Sequence, residues 1–306
     1  MISPSGRPRV LVVGGCGGLV GRAFLPEFAN DWQIRSVHRH PVASEASRGV
    51  EWVAGDAAQV ADWAPMLREV DVVVTLAWYR QGPARVFAPL AAGLCRLIEA
   101  AARANVRRFL HVSVPAAPAS LEEGLPYLSY KRVVDRALAS SGLPHTTVHP
   151  TMLFGPNDRL LTVMLRLMHR YHRFPMFGDG EYHVSPIAVE DLARILRREA
   201  AETGTREVIA GGPVRFRYRD LTDRMFRALG RPPRYVRLSP RTSVWVAATL
   251  ERLGSSLLYA YEVEWLLSDL LGLPPYEGLG RPLTPVEPFL EREAARLGGP
   301  ATAVRG

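Results

Sequence analysis

Residues 9–22 read RVLVVGGCGGLVGR, and this stretch decides the fold. Its first five residues form an almost continuous apolar run, which is typical of a fully buried parallel strand. The rest places Gly15, Gly18 and Gly21 in a Gly-x-x-Gly-x-x-Gly spacing at the start of a helix. Such glycines allow a tight turn and let a pyrophosphate approach the N–H groups of the helix. The spacing predicts a dinucleotide-binding turn, and the alternative is a glycine-rich turn without a ligand.

Strands and helices alternate through the first half of the chain. Further strand-like segments occur at residues 33–39, 50–56, 71–77, 108–113 and 145–149. A long helix rich in Ala, Leu and Arg covers about residues 84–104. Alternation of this kind indicates a parallel sheet with helices on both faces. We therefore predict an α/β fold, a doubly wound parallel sheet of the Rossmann type.

The alternation changes after Pro150. Residues 1–150 are predicted to form the dinucleotide-binding core, and residues 151–306 mainly a smaller, mostly helical substrate lobe. A strand predicted at residues 207–212 returns to the core, and residues 174–189 are predicted to be irregular.

Arg39 stands at the end of the second predicted strand, and no acidic residue follows it before Glu45. A carboxylate at this place would bind the ribose hydroxyls of NAD, whereas an Arg suits the 2′-phosphate of NADP. Arg39 therefore favours NADPH over NAD, and the alternative is a solvated surface Arg.

Three residues at the ends of the next two strands are further candidates for binding the cofactor. Asp56 is placed to accept from the adenine amino group, with Ala57 against the ring, and Ala77 is small enough to let the cofactor pass. A turn or helix-capping role for Asp56 and a packing role for Ala77 are equally good alternatives.

The chain contains a single lysine. Its 38 Lys and Arg residues are Lys131 and, by subtraction, 37 Arg. Lys131 follows Tyr127 by four positions, so the two side chains share one face of a helix. The pKa of a free Tyr is about 10, and a neighbouring ammonium lowers it by favouring the phenolate. The pair predicts proton transfer by Tyr127, and the same ammonium can hold the nicotinamide ribose.

These motifs together resemble the short-chain dehydrogenase/reductase superfamily, in its extended and atypical branch. The resemblance is carried by the glycine spacing, Gly55-Asp56, Tyr127 with Lys131, and the stretch His149–Pro156, and it extends over about residues 9–240. Within that branch the chain is similar to the NAD-dependent epimerase/dehydratase and complex I accessory-subunit groups. The motifs are specific for the superfamily and do not name a substrate.

The resemblance implies that Tyr127 is the acid or base, that Lys131 holds the ribose, and that Pro150 lies at the cofactor. It also implies a hydroxyl at the end of the fifth strand that polarises the substrate carbonyl. The family usually has a Ser-Ser or Ser-Thr pair there, whereas this chain has Ser113-Val114. Ser113 is therefore the candidate, with a buried structural Ser as the alternative.

Composition excludes several other classes. The net charge of +8 is spread along the chain without a basic block, so we expect no nucleic-acid partner. Two cysteines make neither a disulfide framework nor a metal site. No apolar stretch is long enough to span a membrane, and no secretory leader precedes the first strand, so we expect a cytoplasmic protein.

The residues favour NADPH-dependent reduction of a carbonyl in a hydrophobic small molecule, such as a polyketide-type secondary metabolite of antibiotic biosynthesis. One alternative is a sugar-nucleotide epimerase or dehydratase with tightly bound NAD, and another is a non-enzymatic NADP(H)-binding protein.

The candidate substrate walls are apolar or aromatic: Trp78, Tyr79, Met152, Phe154, Phe177, Trp245, Tyr259, Tyr261 and Trp265. Residues 242–271 fit a substrate lid, a helix pair on the core, or the seam of a homodimer.

Overall fold

The structure is a computed structural model that describes residues 6–14, 17–39, 49–79, 84–252 and 259–299. Gly15, which the sequence predicts as the first glycine of the cofactor turn, lies outside these described residues, as does Gly254, where the sequence predicts a break in the helical segment 242–271.

The described residues form thirteen strands and ten helices in the following order. The strands are β1 (Arg9–Val13), β2 (Gln33–His38), β3 (Val50–Ala54), β4 (Val72–Thr75), β5 (Arg108–Val112), β6 (His145–Pro150), β7 (Leu153–Phe154), β8 (Phe174–Phe177), β9 (His183–Val184), β10 (Ile187–Ala188), β11 (Arg206–Ala210), β12 (Phe216–Arg217) and β13 (Tyr235–Leu238). The helices are α1 (Leu19–Ala29), α2 (Ala84–Arg103), α3 (Ala119–Gly124), α4 (Pro126–Ala139), α5 (Leu160–Tyr171), α6 (Val189–Ala201), α7 (Tyr218–Ala228), α8 (Pro240–Arg252), α9 (Ala260–Leu267) and α10 (Glu287–Arg296).

Seven strands form one sheet in the order β11-β6-β5-β4-β1-β2-β3. Every neighbouring pair in it is parallel. The predicted doubly wound α/β fold is thereby confirmed, including the return of a late strand to the sheet. The strand order reverses between β1 and β4, and the crevice at such a point, outside the carboxyl ends of the strands, is where open α/β sheets bind ligands.

The chain divides into two compact units. Unit 1 comprises Met1–Pro150 and Val189–Ala210, and unit 2 comprises Thr151–Ala188 and Gly211–Gly306. In unit 1 the β1 residues from Val10 to Val13 are fully buried, since parallel strands are covered on both faces. Helices α2 and α4 pack together over one face of the sheet, and α1 packs against α6. This packing holds the loops at the carboxyl ends of the strands.

Unit 2 has its own apolar core, to which α5, α7 and α10 contribute. The prediction that residues 174–189 are irregular is wrong, because they contain β8, β9 and β10. Strand β8 pairs in parallel with β13, and β9 pairs antiparallel with β12. These strands have two to four residues, and their partners lie far away in sequence, so no local sequence pattern predicts them.

The apolar segment 242–271 covers α8, except for its first two residues, and all of α9, and the two helices pack against each other within unit 2. Among the described residues, no helix combines the length and the apolar character that crossing a membrane requires.

Candidate functional site

A cleft in unit 1 opens at the carboxyl ends of β1 to β4. Its lining includes four sequence-predicted cofactor residues, namely Arg39, Asp56, Ala57 and Ala77. The loops after four neighbouring strands therefore meet where the strand order reverses, as expected for a dinucleotide site.

Gly14 lies close to Ala77 in this cleft. Gly14 has a φ of +75°, and a Cβ added to it would lie 2.4 Å from the Cβ of Ala77. The N–H of Ala77 donates to the Val13 carbonyl at 3.0 Å, which fixes the two loops against each other. Sequence reasoning named Ala77 but missed Gly14, although the pair Gly14-Gly15 at the strand end was a signal for it.

Helix α1 begins directly behind this contact. Gly18 is its N-cap residue with extended backbone, and no side chain caps the first turn. Gly21 is buried within the first turns of the helix. The uncapped N–H groups and the helix dipole favour an anion at this end, so Gly18 and Gly21 fit a pyrophosphate.

Arg39 is exposed at the mouth of the cleft, and its guanidinium carbon lies 5.3 Å from the centre of the Tyr79 ring. A cation at this distance over an aromatic face is attracted by the ring. The contact directs the guanidinium to the cleft while leaving its N–H donors accessible.

Asp56 builds the turn that follows β3. Its Oδ1 accepts from the N–H of Ala58 at 3.0 Å, and its carbonyl accepts from Gln59 and Val60. The turn role that the sequence offered as an alternative is thus present, in a residue that also lines the cleft. The neighbouring Ala57 is buried.

Lys131 lies on α4 and is only 3% exposed. Its Nζ donates to the Val112 carbonyl at 2.6 Å and lies 4.4 Å from the centre of the Trp78 ring. Burial lowers the pKa of Lys131 to about 7, Asp135 opposes this change, and Arg132 adds to it. The lysine is therefore held between the end of β5 and an aromatic ring that lines the cleft.

Tyr127 lies one helical turn before Lys131 and is half-buried. Its ring meets Trp78 edge-to-face with centroids 6.3 Å apart, and meets Phe87 in the same way at 6.0 Å. Trp78 therefore contacts both members of the predicted pair and connects them to the cofactor cleft.

Ser113 follows β5 and is buried. Its hydroxyl donates to Oδ2 of Asp135 at 2.8 Å, and Nη1 of Arg132 donates to the same oxygen at 2.6 Å. Arg132 also donates to the carbonyls of Val114 and Pro115. The hydroxyl proton thus points to a carboxylate, which favours the structural alternative for Ser113.

His111 lies on β5, near Lys131 and Asp135. Its Nδ1 is 2.6 Å from the Thr75 hydroxyl, and its Nε2 is 3.5 Å from Oδ1 of Asp135. Burial lowers the pKa of His111 to about 3, and the nearby Lys131 adds to this effect, so the ring is neutral. Sequence reasoning missed Asp135 and His111, although Tyr127, Lys131 and Asp135 follow each other at intervals of four.

His149 and Pro150 end β6, and both are buried. Nδ1 of His149 is 2.7 Å from the Val114 carbonyl, and its Nε2 is 3.5 Å from the exposed carboxylate of Glu207. Pro150 pairs with Ala210 in the sheet and is not among the residues that line the cleft.

The predicted substrate walls fall into both units. Trp78 and Tyr79 line the cleft of unit 1. In unit 2, Met152, Phe154, Phe177 and Tyr259 are buried, and Trp245 is 66% exposed. Met152, Phe154 and Phe177 belong to the core of unit 2, against which Trp265 also packs.

Gly14, the uncapped start of α1 at Gly18 and the buried Lys131 fit a bound dinucleotide. Comparisons with known proteins also indicate dinucleotide binding. A family model described as NAD(P)H-binding matches residues 15–194, which is more than half of the chain. A 2-alkyl-3-oxoalkanoate reductase from Stenotrophomonas maltophilia is 26% identical over 298 aligned residues, covering 87% of this chain and 86% of that protein.

Solved structures show the same fold at lower identity. A nucleoside-diphosphate-sugar epimerase from Staphylococcus aureus superposes with a TM-score of 0.75 at 16% identity, covering 92% of this chain and 99% of the epimerase. The leucoanthocyanidin reductase–NADPH complex from Vitis vinifera superposes with a TM-score of 0.69 at 17% identity, covering 94% of this chain and 99% of the reductase. The chain therefore belongs to the NAD(P)H-binding family, within the short-chain dehydrogenase/reductase superfamily that its motifs resemble.

Proposed function

We propose that this protein is an NADPH-dependent reductase that reduces the ketone of a hydrophobic substrate. The observation that carries the proposal is the placement of Tyr127 and Lys131 on one face of α4, with the Lys131 ammonium buried against Trp78 at the cofactor cleft. Membership of the NAD(P)H-binding family supports an NAD(P)-dependent enzyme of the reductase or epimerase type.

NADPH, when bound, supplies a hydride to the carbonyl carbon. Tyr127 donates the proton that the carbonyl oxygen then takes up, and solvent restores that proton to the phenol. The Lys131 ammonium stabilises the phenolate in the interval, because a positive charge at close range favours the anion. Ser113, which the resemblance implies as the group that polarises the carbonyl, directs its hydroxyl proton to Asp135 instead.

The name of the Stenotrophomonas relative indicates a substrate class. A 2-alkyl-3-oxoalkanoate has a ketone at C3 and a carboxylate at C1. One apolar chain extends from the ketone carbon and a second branches from C2 between the two groups, and polyketide-type intermediates also carry 3-oxo groups. This chemistry agrees with the hydrophobic ketone predicted from the sequence. NADPH is preferred to NADH because Arg39 offers its guanidinium at the cleft mouth, where a 2′-phosphate would be bound.

The test combines a medium-chain 2-alkyl-3-oxoalkanoate with NADPH, following NADPH oxidation and the 3-hydroxy product by mass spectrometry. We expect turnover with NADPH, and loss of at least about a hundredfold in kcat for Tyr127→Phe, since general acid catalysis contributes about 10²–10⁴-fold. The dissociation constant of NADPH should stay within about twofold, because Phe keeps the ring that packs against Trp78 and Phe87 and removes only the hydroxyl. Turnover that survives Tyr127→Phe would show that another group donates the proton.

A sugar-nucleotide epimerase is the second candidate, since the Staphylococcus structure has this fold. Enzymes that recycle NAD within one turnover keep it bound. Denaturing the purified protein and identifying the cofactor that it releases therefore distinguishes an epimerase from a reductase. Stoichiometric NAD would favour the epimerase, and its absence together with reversible NADPH binding would favour the reductase.

A further inference from the structure

Trp78 carries a buried donor that nothing described in the protein accepts. Its Nε1 is shielded from solvent and has no hydrogen-bond partner among the described residues. Buried indole N–H groups usually find an acceptor. Trp63 follows that rule, since its Nε1 donates to the Gly93 carbonyl at 3.2 Å. Trp78 is also one of the residues that line the cleft, so a cofactor that binds there would lie against its indole.

The ring of Trp78 has a separate set of contacts. The Lys131 ammonium lies 4.4 Å from the ring centre, and Phe87 stacks on the ring with centroids 5.8 Å apart. Tyr127 meets it edge-to-face. An indole face is the strongest aromatic partner for a cation, so the ring stabilises a charge that burial disfavours. A Phe could provide a weaker face, whereas only Trp adds an N–H.

We propose that Trp78 is a cofactor-binding and lysine-positioning residue: its N–H donates to an oxygen on the nicotinamide half of the bound cofactor, and its ring holds the Lys131 ammonium beside Tyr127. This inference rests on the proposed function for the role of Lys131. The acceptor is assigned to the cofactor because Gly14 and Asp56 line the same cleft as Trp78. It is assigned to the nicotinamide half because Trp78 contacts Tyr127 and Lys131, the residues proposed to act there.

Indole NMR tests the hydrogen bond without any turnover. The chain has six Trp, each giving one Nε1–H resonance in ¹⁵N-labelled protein, and Trp78→Phe identifies the resonance of Trp78. We expect that resonance to move downfield on saturation with NADP⁺, while that of Trp52, on the edge strand β3, stays in place. No movement at saturation, verified by calorimetry, overturns the proposal. Movement only with a 2-alkyl-3-oxoalkanoate overturns the cofactor assignment in favour of the substrate.

Two variants separate the roles of the N–H and the ring. Trp78→Phe keeps an aromatic face and loses the donor, so the dissociation constant of NADPH should rise about tenfold, the effect of one hydrogen bond. Trp78→Leu loses both. Because Lys131 then keeps its proton less well, the alkaline limb of kcat/KM should move to lower pH in Trp78→Leu, and by a smaller amount in Trp78→Phe, whose ring is a weaker face for the cation.

The other groups near Lys131 are unchanged in both variants. They are Asp135 and Arg132 from α4 and the neutral His111 from β5. Trp52→Phe is the matched control for binding and activity, and thermal melting shows whether each variant folds.

An NADPH affinity of Trp78→Phe within about twofold of the wild type overturns the donor role. Coincident pH profiles for wild type and Trp78→Leu overturn the positioning role. A wild type that binds NADPH but reduces no ketone contradicts only the proposed function, since the NMR and binding results stand without turnover.

Discussion

Ser113 donates its hydroxyl proton to Asp135, with 2.8 Å between Oγ and Oδ2. A hydrogen bond to a carboxylate is about twice as strong as one between neutral groups. A Ser hydroxyl has one proton, so donating it to a substrate carbonyl would break this bond and leave Oδ2 of the half-buried Asp135 with Arg132 as its remaining donor. The end of β5 is thus fixed by α4 rather than opened to the substrate.

We therefore expect Ser113→Ala to affect stability more than turnover. The free energy of unfolding should fall by about 1–2 kcal/mol, because Asp135 loses one of its donors, and kcat should fall by less than about tenfold. Chemical denaturation and steady-state kinetics measure the two effects. Ser140→Ala at the exposed end of α4 is the control. A loss of kcat beyond about a hundredfold at unchanged stability would instead make Ser113 a catalytic residue.

Lys131→Met should abolish turnover and change how stability depends on pH. Burial lowers the pKa of Lys131 to about 7 from an ordinary value of 10.5. Above about pH 7 the folded protein sheds this proton while the unfolded chain keeps it, so the free energy of unfolding of the wild type rises with pH. The Met variant lacks that rise. Its stability relative to the wild type should be highest near about pH 6 and decline by about 2–3 kcal/mol by about pH 9.

Denaturant unfolding at the two pH values measures this difference, and Lys131→Arg is the control. An Arg stays charged throughout the range and should be inactive or nearly so without adding a pH-dependent rise in stability. If the wild type and the Met variant differ in free energy of unfolding by the same amount at about pH 6 and about pH 9, Lys131 keeps its proton when buried.

Much of unit 1 could be predicted from the sequence because its signals are local. A strand covered on both faces reads as an apolar run, and the glycine spacing marks the turn after β1. Tyr127 and Lys131 could be found because one helical turn separates them. The pairing of β8 with β13 could not, since a four-residue strand acquires its identity from a partner about sixty residues away.

The hydrogen bonds that Ser113 and Arg132 donate to Asp135 could not be predicted from the sequence either. In the sequence Asp135 looks like an ordinary acid on a helix surface. In the structure it is a half-buried acceptor, because Arg132 and Ser113 both donate to it at the end of β5. Trp78 was named as a candidate wall of the substrate site. Its contact with the Lys131 ammonium depends on the pairing of β4 with β5, which places the loop after β4 beside α4.

Arg39→Gln should weaken NADPH binding selectively. A charge-assisted contact to a phosphate contributes about 1.5–3 kcal/mol, so the dissociation constant of NADPH should rise about 10–100-fold while that of NADH stays unchanged. Fluorescence titration with both cofactors measures this. Arg103→Gln, an exposed residue at the end of α2, is the control for a general loss of positive charge. An equal effect of Arg39→Gln on both cofactors would remove the case for NADPH selectivity.

Gly14→Ala should damage both stability and cofactor binding, because two separate penalties meet at this position. The first is the positive φ of +75°, which costs an L-residue about 1–2 kcal/mol. The second is contact, since the new Cβ would lie 2.4 Å from the Cβ of Ala77 and 2.7 Å from its Cα. The backbone after β4 would have to move, and the cleft would change shape with it.

Gly142→Ala isolates the first penalty. Gly142 has a nearly identical φ of +74°, and a Cβ added there meets nothing within 4 Å. We expect Gly14→Ala to lose at least about 2 kcal/mol more than Gly142→Ala, and to lose NADPH affinity that Gly142→Ala retains. The double variant Gly14→Ala with Ala77→Gly should recover only part of the loss, because the contact with the Ala77 backbone remains. Equal losses for the two single variants would show that the loops after β1 and β4 yield easily, and that the close approach of Gly14 to Ala77 does not shape the cofactor cleft.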